Sequence, residues 1–440
     1  MYTARTIHFS ITGGKKLYGE VTVDTSKNGA MGLIAASLLN TAPTTLRNVP
    51  KIEEVYRLVE VMESIGVSAV WEKKDLTLVP PEQYDLSKLN EDAARKTRSI
   101  IMFMGPLLHH LQSFSIPHSG GCRLGSRTVR PHFFALEKLG VTVDTKDGWW
   151  HVSHAGLHTA EVIMYESSDT ATENILMAAS RIPGKTTIKY ASANYQVQEL
   201  CFFLEQCGVR IDGVGTTTLV VHGKKRINTP VVYELSEDPI VAMFYLAAAV
   251  TTRSSITIKR MPIDFLEQEL LVLEKMGFKY DVLRHYVSRN KHTRLIDIKT
   301  HASELVALDD KIHARPYPGL NMDNLPFFAV IATQAKGTTL IHDWMYEKRA
   351  IYLTELDKLG AETMLADPHR IYIEGPTTLH PAELMSPPAL RPAVVLLVAM
   401  LSASGHSTLR NVYPINRGYE DIAGKLRSLG AEIEVMEERC

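Results

Sequence analysis

The sequence predicts an α/β protein assembled from six repeated modules. Three observations predict it. A helix-ending phrase closes on glycine at Gly66, Gly140, Gly208, Gly277, Gly360 and Gly430. An apolar helix precedes each phrase, and short alternating strands fill the intervals.

The phrases read Met62-Glu-Ser-Ile-Gly66, Leu136-Glu-Lys-Leu-Gly140, Leu204-Glu-Gln-Cys-Gly208, Leu273-Glu-Lys-Met-Gly277, Leu356-Asp-Lys-Leu-Gly360 and Leu426-Arg-Ser-Leu-Gly430. Their glycines are 74, 68, 69, 83 and 70 residues apart. Glycine after a last helical turn tolerates the left-handed conformation, so each phrase predicts a helix stop. The apolar helices are expected over 26–39, 95–109, 170–180, 237–250, 321–334 and 391–402. They are apolar nearly all round, which predicts burial. The third opens on Asp169 and Thr170, which are good capping chemistry. Strands are expected at 44–49, 186–190, 255–260, 337–342 and 406–412. The wide 83-residue interval predicts an insertion in the fifth unit. Six modules fit one ring or two groups of three, and the pattern does not choose.

The chain has 440 residues, 45% hydrophobic and 22% charged, ordinary for a globular protein with sizeable cores. Formal net charge is -1, which speaks against a general nucleic-acid or anionic-membrane binder. Cys122, Cys201, Cys207 and Cys440 are too scattered for a disulfide framework or a zinc site. The start of the chain lacks a signal-peptide core, and apolar runs such as 393–401 are too short to span a bilayer. A cytoplasmic protein is expected.

Chemistry concentrates in two places. The stretch 120–132 sets Cys122 among glycines and follows it with Arg123, Arg127, Arg130 and His132. Nearby cations favour thiolate, and arginines hold carboxylates or phosphates through paired bonds. A reactive loop and a solvated surface loop both fit this stretch. The second place is the mouths of the apolar helices, which carry Lys27 and Asn28, Arg95 and Arg98, Asp169 and Thr170, Asn321 and Asp323, and Arg391. Cations there oppose the helix dipole, which favours an anion site over simple caps. Other candidates are weaker. His109-His110 reads as a helix end, Cys201 and Cys207 as buried thiols, Trp149-Trp150 as strand packing, and Gly13-Gly14 as a turn. No P-loop, dinucleotide fingerprint or zinc signature is present, so no cofactor or metal is expected.

With these residues in hand, the sequence resembles the enolpyruvyl transferases over nearly its whole length. The resemblance runs through segment 11–21, Ser26-Lys27-Asn28, Arg95 to Arg98, the cysteine loop 120–127, Pro318 to Asp323, Glu347 to Arg349, Arg391 and Asn416-Arg417-Gly418-Tyr419-Glu420. It implies an inside-out α/β barrel fold with two domains of three modules. One domain would comprise 1–22 and 233–440, the other 23–232, with the active site in the cleft between them. The 5-enolpyruvylshikimate-3-phosphate synthases share that fold but lack the cysteine loop.

The reaction implied is transfer of the enolpyruvyl group of phosphoenolpyruvate to the 3-hydroxyl of UDP-N-acetylglucosamine, with release of phosphate, for peptidoglycan precursors. Lys27, Arg127 and Arg417 match positions that hold phosphoenolpyruvate, with Arg391 near the same anion and Asn28 beside it. Cys122 matches the proton donor to the methylene carbon, and the target of the epoxide fosfomycin. Asp323 matches the group beside the acceptor hydroxyl. Asn28, Arg98, Arg127, Thr128, Val129, Arg130, Pro131, Ser168, Asp169, Thr170, Asp323 and Met345 match acceptor-lining positions. The sequence departs from the usual pattern at Arg130, Pro131, the loop 167–170 and Ala389. A different nucleotide or nucleotide sugar is therefore the alternative acceptor. A non-catalytic repeat scaffold binding nucleic acid is a further alternative, which the near-zero charge disfavours.

Overall fold

A computed structural model describes residues 5–119 and 128–439. All six phrase glycines have positive φ, between 81° and 105°. Each ends its helix in the conformation that costs glycine least, and a strand follows within a few residues.

The helices are α1 (Lys27–Ser37), α2 (Glu53–Ser64), α3 (Glu91–Lys96), α4 (Met104–Leu107), α5 (Arg130–Glu137), α6 (Asp169–Ser180), α7 (Tyr195–Gln206), α8 (Pro239–Thr251), α9 (Glu267–Lys275), α10 (Leu325–Ala332), α11 (Leu390–Ser402), α12 (Tyr413–Asn416) and α13 (Ile422–Ser428). The apolar helices are buried as expected. Every residue of α8 is buried, and so are all eight of α10.

Two expectations need correction. The helix expected over 95–109 is broken into α3, a 3₁₀ segment Arg98–Phe103, and α4. Thr97 is extended at φ -118° and ψ 125°, and it interrupts the helical run. The helix expected from 321 begins at Leu325, so Asn321 and Asp323 lie in the turn before it. In the fifth unit the phrase helix is itself 3₁₀, Ala350–Leu359.

One sheet pattern recurs. A short parallel strand flanks the strand that follows the buried helix, and a hairpin completes the sheet. Glu161–Ile163 flanks Gly184–Lys189, and Leu305–Val306 flanks Ala335–His342 in this way. In the last unit the N-terminal strand Arg5–Gly13 takes the central hairpin place, between Gly405–Arg410 and Glu432–Arg439. Among the described residues, the sheet of the second unit has three strands and no parallel flank.

The first and fourth units exchange their flanking strands. Glu20–Thr22, just before α1, pairs with Thr257–Pro262. Val231–Glu234, just before α8, pairs with Thr44–Arg47. The buried apolar residues form two large cores accordingly. One draws on residues between 9 and 23 and between 240 and 433, the other on residues between 30 and 235. Each core carries three of the sheets. The two chain crossings run side by side, joined by an antiparallel bridge between Thr25 and Glu237.

The wide 83-residue interval holds a long hairpin, Lys279–Val287 and Arg294–His301, which joins the sheet of the fourth unit. Its turn residues Ser288, Asn290 and Thr293 are buried. Among the described residues, no helix is long and apolar enough to cross a membrane.

Candidate active site

The site is assembled where the two bodies meet. Ser26 caps α1 by accepting from the Gly29 amide at 2.9 Å, so Lys27 and Asn28 occupy its first turn. The Lys27 backbone N–H donates to Asp238 Oδ2 at 3.0 Å. Asp238 also caps α8, accepting from Ile240 N at 2.8 Å. One buried carboxylate thus ties the mouths of two helices from different bodies. A side chain at position 29 would collide here, because its Cβ would lie 2.1 Å from Glu199 Oε2.

The side chain of Lys27 reaches Glu54 Oε2 at 2.6 Å. Arg417, just past α12, is paired with the same carboxylate. Burial works against the Glu54 charge, but Lys27 and Arg417 outweigh it and lower its pKa. Two cations on one carboxylate leave one positive charge unbalanced in a part-buried setting. Such a pair suits a phosphate or carboxylate ligand.

Beside it lies a second network around Asp323. Arg391 Nη2 is 3.3 Å from Asp323 Oδ2, Arg349 Nη1 is 3.6 Å from Oδ1, and the Tyr346 hydroxyl donates to Oδ1 at 3.3 Å. Arg349 is fully buried and donates to Asp343 and to the Met322 carbonyl at 2.6 Å. Arg391 donates to the Tyr419 hydroxyl at 3.0 Å. Burial opposes the Arg391 charge, but Tyr419, Asp323 and Asp238 outweigh it and raise its pKa. These partners explain why a guanidinium can sit in the first turn of α11, where the dipole disfavours it. Asn28 is tied in through Tyr195, donating Nδ2–H to the phenol oxygen at 2.9 Å.

The remaining expected residues form a separate group on one body. Burial and then the charge of Arg98 depress the pKa of His132, while burial raises that of Glu166 against the opposing pull of Arg98, which places the guanidinium near both. Thr170 Oγ1 is 3.3 Å from His132 Nε2. Thr128 Oγ1 accepts from the Arg130 amide at 3.2 Å; Arg130 is exposed, whereas Pro131 is buried in the first turn of α5. Val129 and Met345 are partly buried against the cores, on opposite bodies. Ser168 precedes α6 without a side-chain cap bond. Asp169 does not cap α6. Its carboxylate accepts from Ser192 Oγ and from Asn194 Nδ2 at 3.0 Å, and burial, with Asp323 adding to it, raises its pKa.

Arg95 is also corrected. It sits in the last turn of α3, where the dipole favours a cation. It pairs with Glu91 and lies 5.7 Å over the Trp149 ring. Cys122 and Arg127, with the rest of 120–127, lie outside the described residues, as does Cys440. His109 and His110 bond to different carbonyls, Ala178 and Leu38, and burial drives both pKa values down, to about 3 and about 4. Cys201 and Cys207 are buried thiols, the latter raised to about 12 by burial.

Sequence reasoning missed Glu54, Asp238 and Tyr195 at the centre of this site. Glu53 and Glu54 read as ordinary first-turn acids of α2, a natural response to the helix dipole. Only the fold brings Arg417, 363 residues away, to Glu54.

Between the bodies lies a cavity of about 170 Å³ that reaches Asn321 and Met322 on one side and Ser167 and Asp169 on the other. Asp169, Asp264, Glu267 and Glu269 line it, with Arg315 as the cation among the lining residues.

Comparison with known proteins fits this arrangement. The EPSP synthase (3-phosphoshikimate 1-carboxyvinyltransferase) family matches residues 11–426. The UDP-N-acetylglucosamine 1-carboxyvinyltransferase of Treponema denticola is 34% identical over 98% of this chain and 99% of its own length. That of Bradyrhizobium diazoefficiens is 32% identical over the same shares. Among solved structures, the enolpyruvyl transferase NikO from Streptomyces tendae superposes with a TM-score of 0.85 at 24% identity, covering 99% of this chain and 100% of that one. An EPSP synthase from Acinetobacter baumannii gives 0.75 at 18% identity, covering 98% and 100%. Both structural likenesses speak for the fold, and the full-length sequence matches go further: the chain belongs to the EPSP synthase family of enolpyruvyl transferases.

Proposed function

We propose that this protein transfers the enolpyruvyl group of phosphoenolpyruvate to the 3-hydroxyl of UDP-N-acetylglucosamine and releases phosphate. The observation that carries the reading is the full-length identity to relatives that bear that activity in their names. The cleft suits the chemistry. Lys27 and Arg417 share Glu54 and leave a net positive site for the phosphate, with Arg391 close by. Asp323, held by Arg391 and Arg349, is placed to orient or deprotonate the acceptor hydroxyl.

The acceptor oxygen would add to C2 of phosphoenolpyruvate while a proton reaches the methylene carbon. Loss of phosphate and of one proton from that carbon then restores the double bond. Fixed cations stabilise the tetrahedral adduct between these steps. Cys122 as proton donor and Arg127 as phosphate ligand keep their roles from the sequence. The two active bodies would be 23–232 and 1–22 with 233–440. The product would feed peptidoglycan precursor synthesis in the cytoplasm.

A second reading keeps the chemistry and changes the acceptor to another nucleotide or nucleotide sugar. The departures from the usual pattern at Arg130, Pro131, the loop 167–170 and Ala389 favour it. Phosphate release measured with phosphoenolpyruvate and a panel of acceptors separates the readings. Release with UDP-N-acetylglucosamine above all others supports the first. No release with it, beside turnover of another acceptor, overturns it.

A further inference from the structure

Helix α7 turns one stripe toward the opposite body. Tyr195, Gln198 and Phe202 lie three and four residues apart, and so share a face. The Tyr195 ring meets Phe265 edge-on with centroids 5.8 Å apart. Gln198 lies beside the Tyr317 phenol, where it works against the rise that burial gives the phenol pKa. Phe202 stacks on His292 of the long hairpin at 3.9 Å, with planes 8° apart. Three contacts therefore dock this helix against the other body.

Tyr195 stands at the site end of the stripe. It is 3% exposed and packs into the core of the opposite body, although its own helix belongs to the 30–235 core. Its phenol oxygen accepts from Asn28 Nδ2 at 2.9 Å. Burial, then the charges of Asp238 and Asp323, raise its pKa well above the ordinary value, so the phenol keeps its proton. The same electrostatics show Asp323 and Arg391 in its immediate field.

We propose that Tyr195 is a positioning residue: its phenol oxygen fixes the Asn28 amide beside Asp323, and does so only while α7 is docked on the opposite body. An unheld amide rotates and presents its carbonyl and its N–H groups in turn. With one N–H committed to Tyr195, the carbonyl has a single orientation and can accept from a donor group on the acceptor. Orientation of this kind acts on rate more than on stability. The proposal rests on the enolpyruvyl-transfer reading, in which Asn28 contacts substrate.

Tyr195→Phe keeps the ring against Phe265 and removes only the phenol oxygen. The expected result is a kcat about tenfold lower at nearly unchanged thermal midpoint. In a cycle with Asn28→Ala, the double variant should be no slower than Asn28→Ala alone. Wild-type kcat and acceptor KM in Tyr195→Phe, or losses that multiply in the double variant, overturn the proposal. A second measurement needs no substrate. The side-chain amide signals of Asn28 in nitrogen-15-labelled protein, identified by their loss in Asn28→Ala, should shift in Tyr195→Phe. Unshifted signals overturn the hold of Tyr195 on Asn28. If wild-type protein turns over no acceptor, the enolpyruvyl reading falls, and the amide signals still decide the contact.

Discussion

Two cation–carboxylate networks face each other in the cleft, and they are built on opposite plans. At Glu54, one carboxylate carries two cations, Lys27 and Arg417, and each of the three side chains is 13–16% exposed. At Asp323, two arginines share two carboxylates, Asp323 and Asp343, and Arg349 is fully buried. The first has spare positive charge. The second is balanced, with Arg349 and Asp343 buried behind a partly exposed Asp323. An anionic substrate belongs where charge is unbalanced, and a fixed acid–base group belongs where its frame cannot move. Glu199, under the mouth of α1, gives a third case. Among the described residues its Oε2 has no hydrogen-bond partner, and burial raises its pKa to about 7.

The contrast can be broken in order of expected effect. Arg349→Met strips the balanced network of its buried cation and leaves Asp343 buried and uncompensated. Losing one partner of such a pair costs about 3–5 kcal/mol, readable by urea unfolding. A cost under about 1 kcal/mol, the range of exposed pairs, would show that the frame around Asp323 is not rigid. Lys27→Ala strikes the network with spare charge and should do the opposite. Stability should change little, while kcat/KM falls about 10²–10³-fold, the usual loss for one preorganised charge. Equal activity in Lys27→Ala and wild type would remove Lys27 from the anion site.

Glu199 should make stability depend on pH. Its folded pKa of about 7 lies above its ordinary 4.5, so its contribution is fully present below pH 4.5 and is lost as pH rises through 7. The full span is about 3 kcal/mol. Unfolding free energy of Glu199→Gln should fall less than wild type between those pH values; identical slopes would mean the buried carboxyl does not carry that shift. The smallest effect is at Glu54. Glu54→Gln removes the negative charge between the two cations and should tighten inorganic phosphate binding about fivefold, seen as product inhibition. Weaker phosphate binding would show that Glu54 holds the cations in place instead of competing with the anion.

The fold was legible where the physics is local. Each phrase glycine has positive φ because a helix stop needs it, whatever packs nearby. Lys27, Asn28 and Arg391 stand at helix mouths as read. Three features were out of reach of the sequence pattern. Asp169 looked like a cap, but Ser192 and Asn194, 23 and 25 residues on, compete for its carboxylate. The 95–109 run is apolar enough for a helix, yet Thr97 takes extended angles and breaks it. Tyr195 sits in a run with no charge and no motif, and its place beside Asn28 follows from docking of two bodies. Six periods and two helix mouths can be read from a chain; a shared carboxylate between residues 27, 54 and 417 cannot.

The most direct test is the identity of the product. Protein incubated with phosphoenolpyruvate and UDP-N-acetylglucosamine should yield an enolpyruvyl ether at the sugar 3-oxygen, seen by mass spectrometry and NMR, with one phosphate released per ether formed. Unmodified UDP-N-acetylglucosamine, beside an ether formed on a different nucleotide, would contradict the account.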